Sequence, residues 1–225
     1  MVRIRVSDRT RSGVASMSPR PKSPVFLPAG IETKPDRPGF RSFKTTSAVF
    51  YPQRWHRDLL IQATLDPSIS FIEPVPAARQ SLDSFKVLVW FEGRRRLLVA
   101  VRNAIDLGVH ASLPDALTLD RSTVLDEPRC SVARQIWATR TTQIPPGDRI
   151  RILRELSESP GGAPLGRLIE CVRSNDSDPV DIVLALVCSG QAEVEFGSHL
   201  APDTPIRSAA RSQPPERETM RATFV

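Results

Sequence analysis

Residues that could do chemistry together are concentrated between positions 52 and 102. His56 lies in a helix-like stretch, Asp83 and Ser84 begin one strand-like stretch, and Ala100 and Arg102 end the next. A metal-dependent phosphodiesterase needs several carboxylates that hold Mg²⁺, and the metal then lowers the pKa of its bound water. Here Asp83 is the one carboxylate among the five residues, and the arginine stays protonated near neutral pH. The set therefore predicts an incomplete metal site.

The elements that must position these residues follow from the spacing of apolar residues, turn residues and prolines. The pattern predicts a helix at 52–63, a strand that ends at 73–74, a hairpin of strands 84–92 and 96–102 that turns at 93–95, a short strand at 121–125 and a helix at 128–138. Consecutive prolines and a glycine then predict a linker at 141–147.

A second pattern follows between residues 148 and 207. It predicts three helices and then two strands, at 191–196 and 205–207. Asp178 is expected to cap the third helix, Pro179 to occupy its first position and Gly190 to end it.

The order of elements from residue 39 to 104 resembles the N-terminal catalytic domain of TnsA-type endonucleases, restriction-endonuclease-like subunits that cut one strand at transposon ends. The three later helices and their ribbon look like a winged helix, which TnsA-type proteins also carry at their C-terminal end. The implied fold is α/β, with a restriction-endonuclease-like mixed sheet and flanking helices at 39–140, followed by a small winged-helix domain at 148–207.

The same resemblance implies that the catalytic positions are degenerate. The family carries glutamate where His56 stands, and Glu or Gln followed by Lys where this chain has Ala100 and Arg102. The family's Pro-Asp-Phe is similar to the tripeptide at 83–85. Aligned on the phenylalanine, the acid has become Ser84, whereas a shift of one residue lets Asp83 supply it.

One alternative keeps the nuclease active. Acids elsewhere in the same region could have taken over the metal, and the candidates are Asp58, Glu92 and Asp106. Mg²⁺ is expected as a cofactor only under this alternative, and otherwise no cofactor is expected.

Basic charge is concentrated at the N-terminus. The chain has a formal net charge of +6, but the first 45 residues contribute +7 and the remainder −1. Residues 1–38 are rich in Arg, Ser and Pro and are predicted to be a disordered basic arm, and 208–225 a flexible tail. Contacts to DNA phosphates are expected from this arm and from the densest basic cluster of the folded body. The candidate DNA-binding residues are Arg3, Arg5, Arg9, Arg11, Arg94, Arg95 and Arg96.

The C-terminal unit is expected to bind protein instead of DNA. Residues 174–206 contain six acidic residues and neither Lys nor Arg, so a duplex would be repelled. The predicted partner-binding residues are Asp178, Asp181, Glu193 and Glu195. The partners that the resemblance implies are a DDE-type transposase subunit and an AAA+ ATPase regulator.

Other features of the sequence limit the class of protein. No stretch approaches the roughly 20 apolar residues of a membrane span, and the N-terminus lacks a secretory pattern, so a cytoplasmic protein is expected. Three widely separated cysteines predict neither a disulfide nor a zinc site.

Three hypotheses follow. The leading one is a TnsA-like component of a heteromeric transposase that binds transposon-end DNA and a partner and has lost its nuclease activity. The second is an active metal-dependent DNA endonuclease with relocated ligands. The third is a small protein-binding adaptor unrelated to transposition.

Overall fold

The computed structural model describes residues 39–76, 84–108, 115–195 and 199–209. The predicted basic arm, with Arg3, Arg5, Arg9 and Arg11, lies outside the described residues, as do Asp83 and all but two residues of the predicted tail. Within the described part, no helix combines the length and the apolar character that crossing a membrane requires.

Four strands form one mixed sheet, which confirms an α/β fold with flanking helices. The strands are β1 (Ile69–Pro74), β2 (Ser84–Phe91), β3 (Arg94–Val101) and β4 (Ala116–Asp120), and they lie in that order. The first three are antiparallel, and β4 runs parallel to β3. Helix α1 (Arg54–Leu65) precedes the sheet, two residues later than predicted.

The hairpin between β2 and β3 turns earlier than predicted. Glu92 and Gly93 both have positive φ, 49° and 74°, which is the backbone of a two-residue hairpin turn. The predicted turn at 93–95 is therefore wrong, because β3 already begins at Arg94.

The strand predicted at 121–125 is also wrong. β4 ends at Asp120, and a single helical turn, α2 (Arg121–Val124), takes its place. The Asp120 carboxylate accepts a hydrogen bond from the Thr123 backbone N–H at 2.9 Å, so it caps this turn and ends the strand. The helix predicted at 128–138 is confirmed as α3 (Arg129–Ala138).

The register assigns the side chains of β2 and β3 to two faces of the sheet. Phe85 pairs with Ala100 and Val87 with Leu98, so these side chains share one face, here called the inner face. Helix α1 packs on this face. Ser84 pairs with Val101, and both belong to the opposite, outer face.

The C-terminal part contains three helices and a three-stranded sheet. In chain order these are α4 (Pro146–Glu158), β5 (Ala163–Pro164), α5 (Leu165–Ile169), α6 (Pro179–Cys188), β6 (Ala192–Val194) and β7 (Pro205–Ser208). The sheet order is β5-β7-β6. Helix α4 begins inside the predicted linker, with Pro146 in its first turn, and β7 includes the first residue of the predicted tail.

The signals predicted for the third helix are confirmed. The Asp178 carboxylate accepts a hydrogen bond from the Val180 N–H at 2.8 Å, and Pro179 occupies the first turn. Gly190 follows the helix with φ of 70°. A Cβ atom at this glycine would lie 2.4 Å from the Phe43 ring, so the bare backbone also lets the segment before α1 approach the helix end.

Helix α6 is buried from Ile182 to Cys188, against α3, α5, β6 and the 3-10 turn Thr139–Thr141. The Cys188 thiol donates to the Ile136 carbonyl oxygen at 3.0 Å. Described residues 39–141 are called the sheet half below, and described residues 142–209 the C-terminal half. Buried side chains of both halves form one hydrophobic cluster, which includes Ile72, Ile136, Ile152, Leu184 and Ile206.

A buried carboxylate fixes the turn between α5 and α6. Asp148, in the first turn of α4, is 1 % exposed. It accepts hydrogen bonds from the backbone N–H groups of Arg173 at 2.8 Å and Ser174 at 3.3 Å, and from the Arg151 guanidinium. Burial raises the pKa of Asp148, but hydrogen bonds from Ser174, Arg173 and Arg151 outweigh burial and bring the pKa to about 2.

Candidate functional site

Two of the predicted catalytic positions, His56 and Ala100, lie at the end of the inner face beside α1, where aromatic rings are in contact. The His56 imidazole stacks on the Phe85 ring with centroids 4.6 Å apart and an interplanar angle of 18°. The Trp55 ring lies 4.0 Å from the same imidazole. Ala100, opposite Phe85 in the register, is fully buried and offers no ligand atom.

The imidazole in this contact is uncharged near neutral pH. His56 is 4 % exposed, and burial lowers its pKa to about 4. Its Nδ1 atom is buried and has no hydrogen-bond partner among the described residues. A neutral imidazole is a poor ligand for Mg²⁺, which prefers oxygen.

The sheet register shows which face of the sheet Ser84 belongs to. Side chains alternate between the faces of a strand, so Ser84 lies on the outer face while Phe85 contacts His56 on the inner face. The Ser84 hydroxyl is buried, and no residue in the described part of the chain forms a hydrogen bond with it. A residue at 84 therefore does not point toward α1. Asp83 itself lies outside the described residues.

Arg102 lies just beyond the end of β3 and is exposed. An arginine at this position can contact a phosphate, but its guanidinium does not exchange a proton near neutral pH.

The proposed relocated acids do not gather around this position. Asp58 is buried and forms two hydrogen bonds with the Arg134 guanidinium, at 2.9 Å from Nε and 2.7 Å from Nη2. Glu92 lies at the hairpin turn, and Asp106 lies on the 3-10 turn Ala104–Asp106. An eight-residue strand is about 25 Å long, so Glu92 lies far from Ala100. In the described ranges no three His, Cys, Asp or Glu side chains are grouped to hold a metal.

The three arginines predicted to contact DNA do not form one cluster. Arg95 lies on the outer face and pairs with Glu73, with 2.8 Å between Nη2 and Oε2. Arg94 and Arg96 lie on the inner face, where the Arg96 guanidinium stacks over the Phe91 ring at 5.3 Å. The sequence triplet is therefore divided between two faces, because β3 already includes all three residues.

The four acids predicted to bind a partner lie near opposite ends of α6. Asp178 and Asp181 line an open groove of about 620 Å³ between the start of α6 and residues 141–146. Glu193 lies on β6, and Glu195, just after it, pairs with Arg207 at 3.0 Å. Helix α6, ten residues and about 15 Å long, has Asp178 and Asp181 at its start, and Glu193 and Glu195 follow its end.

Helix α6 would be the third helix of a winged helix, the one that usually enters the major groove. Its residues from Ile182 to Cys188 are all buried. A helix that is apolar on every side belongs to a core, so no face of these two turns is open to a DNA groove. The uninterrupted apolar run from 182 to 188 was the sequence signal for this burial.

Sequence patterns gave no signal for two polar contacts that shape these sites. Asp58 and Arg134 are 76 residues apart in sequence. The buried Lys44 donates from Nζ to the Asp66 carbonyl oxygen at the end of α1. Burial lowers the Lys44 pKa to about 8, against the opposing effect of the Asp66 and Glu193 carboxylates.

Comparison with models of known protein families, with curated proteins and with solved structures gives no match.

Proposed function

We propose that this chain is a catalytically inactive TnsA-like component of a heteromeric transposase, which binds transposon-end DNA and bridges to a protein partner. Support comes from the mixed sheet with flanking helices that the resemblance implies. The observation that carries the proposal is the stacking of His56 on Phe85 at the position where the resemblance expects a metal-binding acid.

The physical case for inactivity rests on what occupies that position. A hydrated Mg²⁺ needs oxygen ligands and space for water, whereas the two rings are in direct contact. Asp58, the nearest acid along α1, is held by Arg134. Releasing Asp58 would leave a buried charge without its counter-ion, which is costly.

We further propose that the C-terminal half is a winged-helix module that binds protein. Three helices and the β5-β7-β6 sheet support this assignment. Burial of α6 and the absence of basic residues from 174 to 206 argue against a DNA-reading role. The groove lined by Asp178 and Asp181 offers a surface for a basic segment of a transposase subunit or its AAA+ ATPase regulator.

A nicking assay tests the loss of catalysis. Purified full-length protein is incubated with supercoiled DNA and Mg²⁺ or Mn²⁺, and the expected result is that no relaxed product accumulates above the level without metal. Asp83→Ala is the matched variant and should behave identically. Metal-dependent nicking that Asp83→Ala abolishes would establish the nuclease alternative and contradict the inactive assignment.

Partner binding tests the transposase assignment. We expect a DDE-type transposase subunit and an AAA+ ATPase encoded beside the gene, and co-purification of the transposase subunit with this chain. The double variant Asp178→Asn/Asp181→Asn should weaken that co-purification, while Asp203→Asn, a control outside the groove, should not. If neither neighbour exists, the transposase assignment fails and the adaptor hypothesis replaces it.

A further inference from the structure

The free edge of β4 has a sequence that is complementary to itself. β4 is the last strand in the sheet order, and no described strand pairs with the edge of β4 that faces away from β3. Its residues, Ala-Leu-Thr-Leu-Asp, include neither the lysine nor the proline with which natural proteins commonly protect an edge. Unpaired backbone N–H and C=O groups along such an edge can accept another strand.

An antiparallel pair centred on Thr118 matches side chains well. In this register Thr118 lies opposite its own copy, and Leu117 lies opposite Leu119 of the partner subunit. Ala116 lies opposite Asp120 of the partner subunit, so no two like charges face each other.

Charge complementarity extends this match beyond the strand. Asp115 and Arg121 flank β4, both are exposed, and neither forms an ion pair within the described part of the chain. Neither residue continues the strand, since Asp115 has a φ of 62° and Arg121 begins α2. Antiparallel pairing of two copies of β4 nevertheless brings Asp115 near Arg121 of the partner subunit, and the two-fold axis creates this pair of opposite charges twice.

Apolar surface next to the edge would also be covered. Leu117 and Leu119 are only partly buried, and with Leu98 and Phe91 they line a cavity of about 260 Å³ between α1 and the inner face. Pairing at the edge would bring the same two leucines of a second copy against this lining.

We propose that β4 pairs antiparallel with β4 of a second copy about a two-fold axis at Thr118, which joins two four-stranded sheets into one of eight strands. A five-residue strand contributes less than a standard interface, so the dimer is a weak one that forms at high protein concentration. The inference does not rest on the proposed transposition function.

A disulfide on the axis tests the register. The full-length chain carries Cys171→Ser to remove the half-buried cysteine, while Cys130 and Cys188 are buried. Thr118→Cys should form a disulfide-linked dimer on mild oxidation, because residues directly opposite in an antiparallel pair have Cα atoms about 4.5–5.5 Å apart. Leu117→Cys and Leu119→Cys should each remain monomeric alone and cross-link when mixed.

Charge reversal tests the flanking pairs. Sedimentation velocity at low salt should show a concentration-dependent dimer. Asp115→Arg or Arg121→Asp should raise its dissociation constant about tenfold, and the double variant should restore the original value. A chain that stays monomeric at millimolar concentration, or a Leu117→Cys variant that cross-links alone as efficiently as Thr118→Cys, would overturn the proposal.

Discussion

His56 in the sheet half and Asp148 in the C-terminal half are both deeply buried ionisable side chains, and the two halves treat them in opposite ways. In the C-terminal half, Asp148 keeps its charge because two backbone N–H groups and Arg151 bind the carboxylate. In the sheet half, His56 has lost its charge, and its Nδ1 atom has no hydrogen-bond partner within the ranges that the structure describes.

This difference shows that the fold uses the charge of Asp148 and does not use a charge on His56. A buried carboxylate with complete hydrogen bonding holds two segments together, because removing one partner leaves another uncompensated. A neutral ring stacked on Phe85 contributes apolar contact and does not need its polar atom. The position that the resemblance assigns to catalysis is thus maintained by packing, and the turn between α5 and α6 by electrostatics.

The largest expected effect tests whether the halves are one cooperative unit. Leu184→Ala in α6 should lower the free energy of unfolding by about 4 kcal/mol, because it leaves a cavity in the shared core. All three tryptophans, Trp55, Trp90 and Trp137, lie in the sheet half. If the two halves unfold together, tryptophan fluorescence during urea unfolding should show the whole loss of stability that this change in the C-terminal half causes. An unchanged fluorescence midpoint would show that the halves unfold separately.

Removing the buried carboxylate should have the next largest effect. We expect Asp148→Ala to lower the free energy of unfolding by about 3 kcal/mol, since the backbone N–H groups of Arg173 and Ser174 lose their acceptor. Asp176→Ala, an exposed carboxylate in the same half, serves as control and should change stability by less than about 0.5 kcal/mol. Equal losses for both variants would remove the contrast with His56.

Acid pH should separate the two groups. The folded-state pKa of His56, about 4, lies below its ordinary value of 6.5. As the pH falls below about 6.5, the unfolded chain binds a proton that the folded chain does not, so the free energy of unfolding falls by about 3 kcal/mol until the pH reaches about 4. Asp148, with a folded pKa of about 2 against 3.8, should cause a further loss between about pH 4 and pH 2.

Variants test whether His56 causes the loss of stability in the upper pH window. His56→Phe should abolish the loss between pH 6.5 and 4 in urea titrations at each pH. His199→Gln, a change at an exposed histidine, should leave it intact. A loss that persists in His56→Phe would mean that another group causes it.

The smallest expected effect concerns surface charge in the sheet half. Arg94→Gln and Arg96→Gln should each weaken binding of duplex DNA about threefold, as expected when one phosphate contact is lost. Arg95→Gln should change binding less, because Glu73 already pairs with Arg95. Fluorescence anisotropy with a labelled duplex at several salt concentrations measures this. An equal loss for all three would indicate that the arginines act as one patch.

Local signals predicted much of this fold. Both ends of α6 were predictable from Asp178, Pro179 and Gly190, because helix caps depend on residues that are neighbours in the chain. Apolar alternation likewise predicted β2 and β3 to within about two residues.

Non-local features escaped prediction. Whether Ser84 or Phe85 faces α1 depends on the pairing with β3, and a shift of one residue exchanges the two faces. Arg94, Arg95 and Arg96 look like one cluster in sequence and separate only because the turn ends at Gly93. The Asp58–Arg134 pair and the packing of α6 on the sheet half depend on tertiary contacts between distant segments.

Gly190 carries two independent constraints. Its φ of 70° disfavours any side chain, and the Phe43 ring occupies the space where a Cβ would project. An evolutionary consequence follows: in homologous sequences, a larger residue at position 190 should be accompanied by a smaller one at position 43. This coupled substitution would link the end of a helix to the segment before α1, nearly 150 positions earlier.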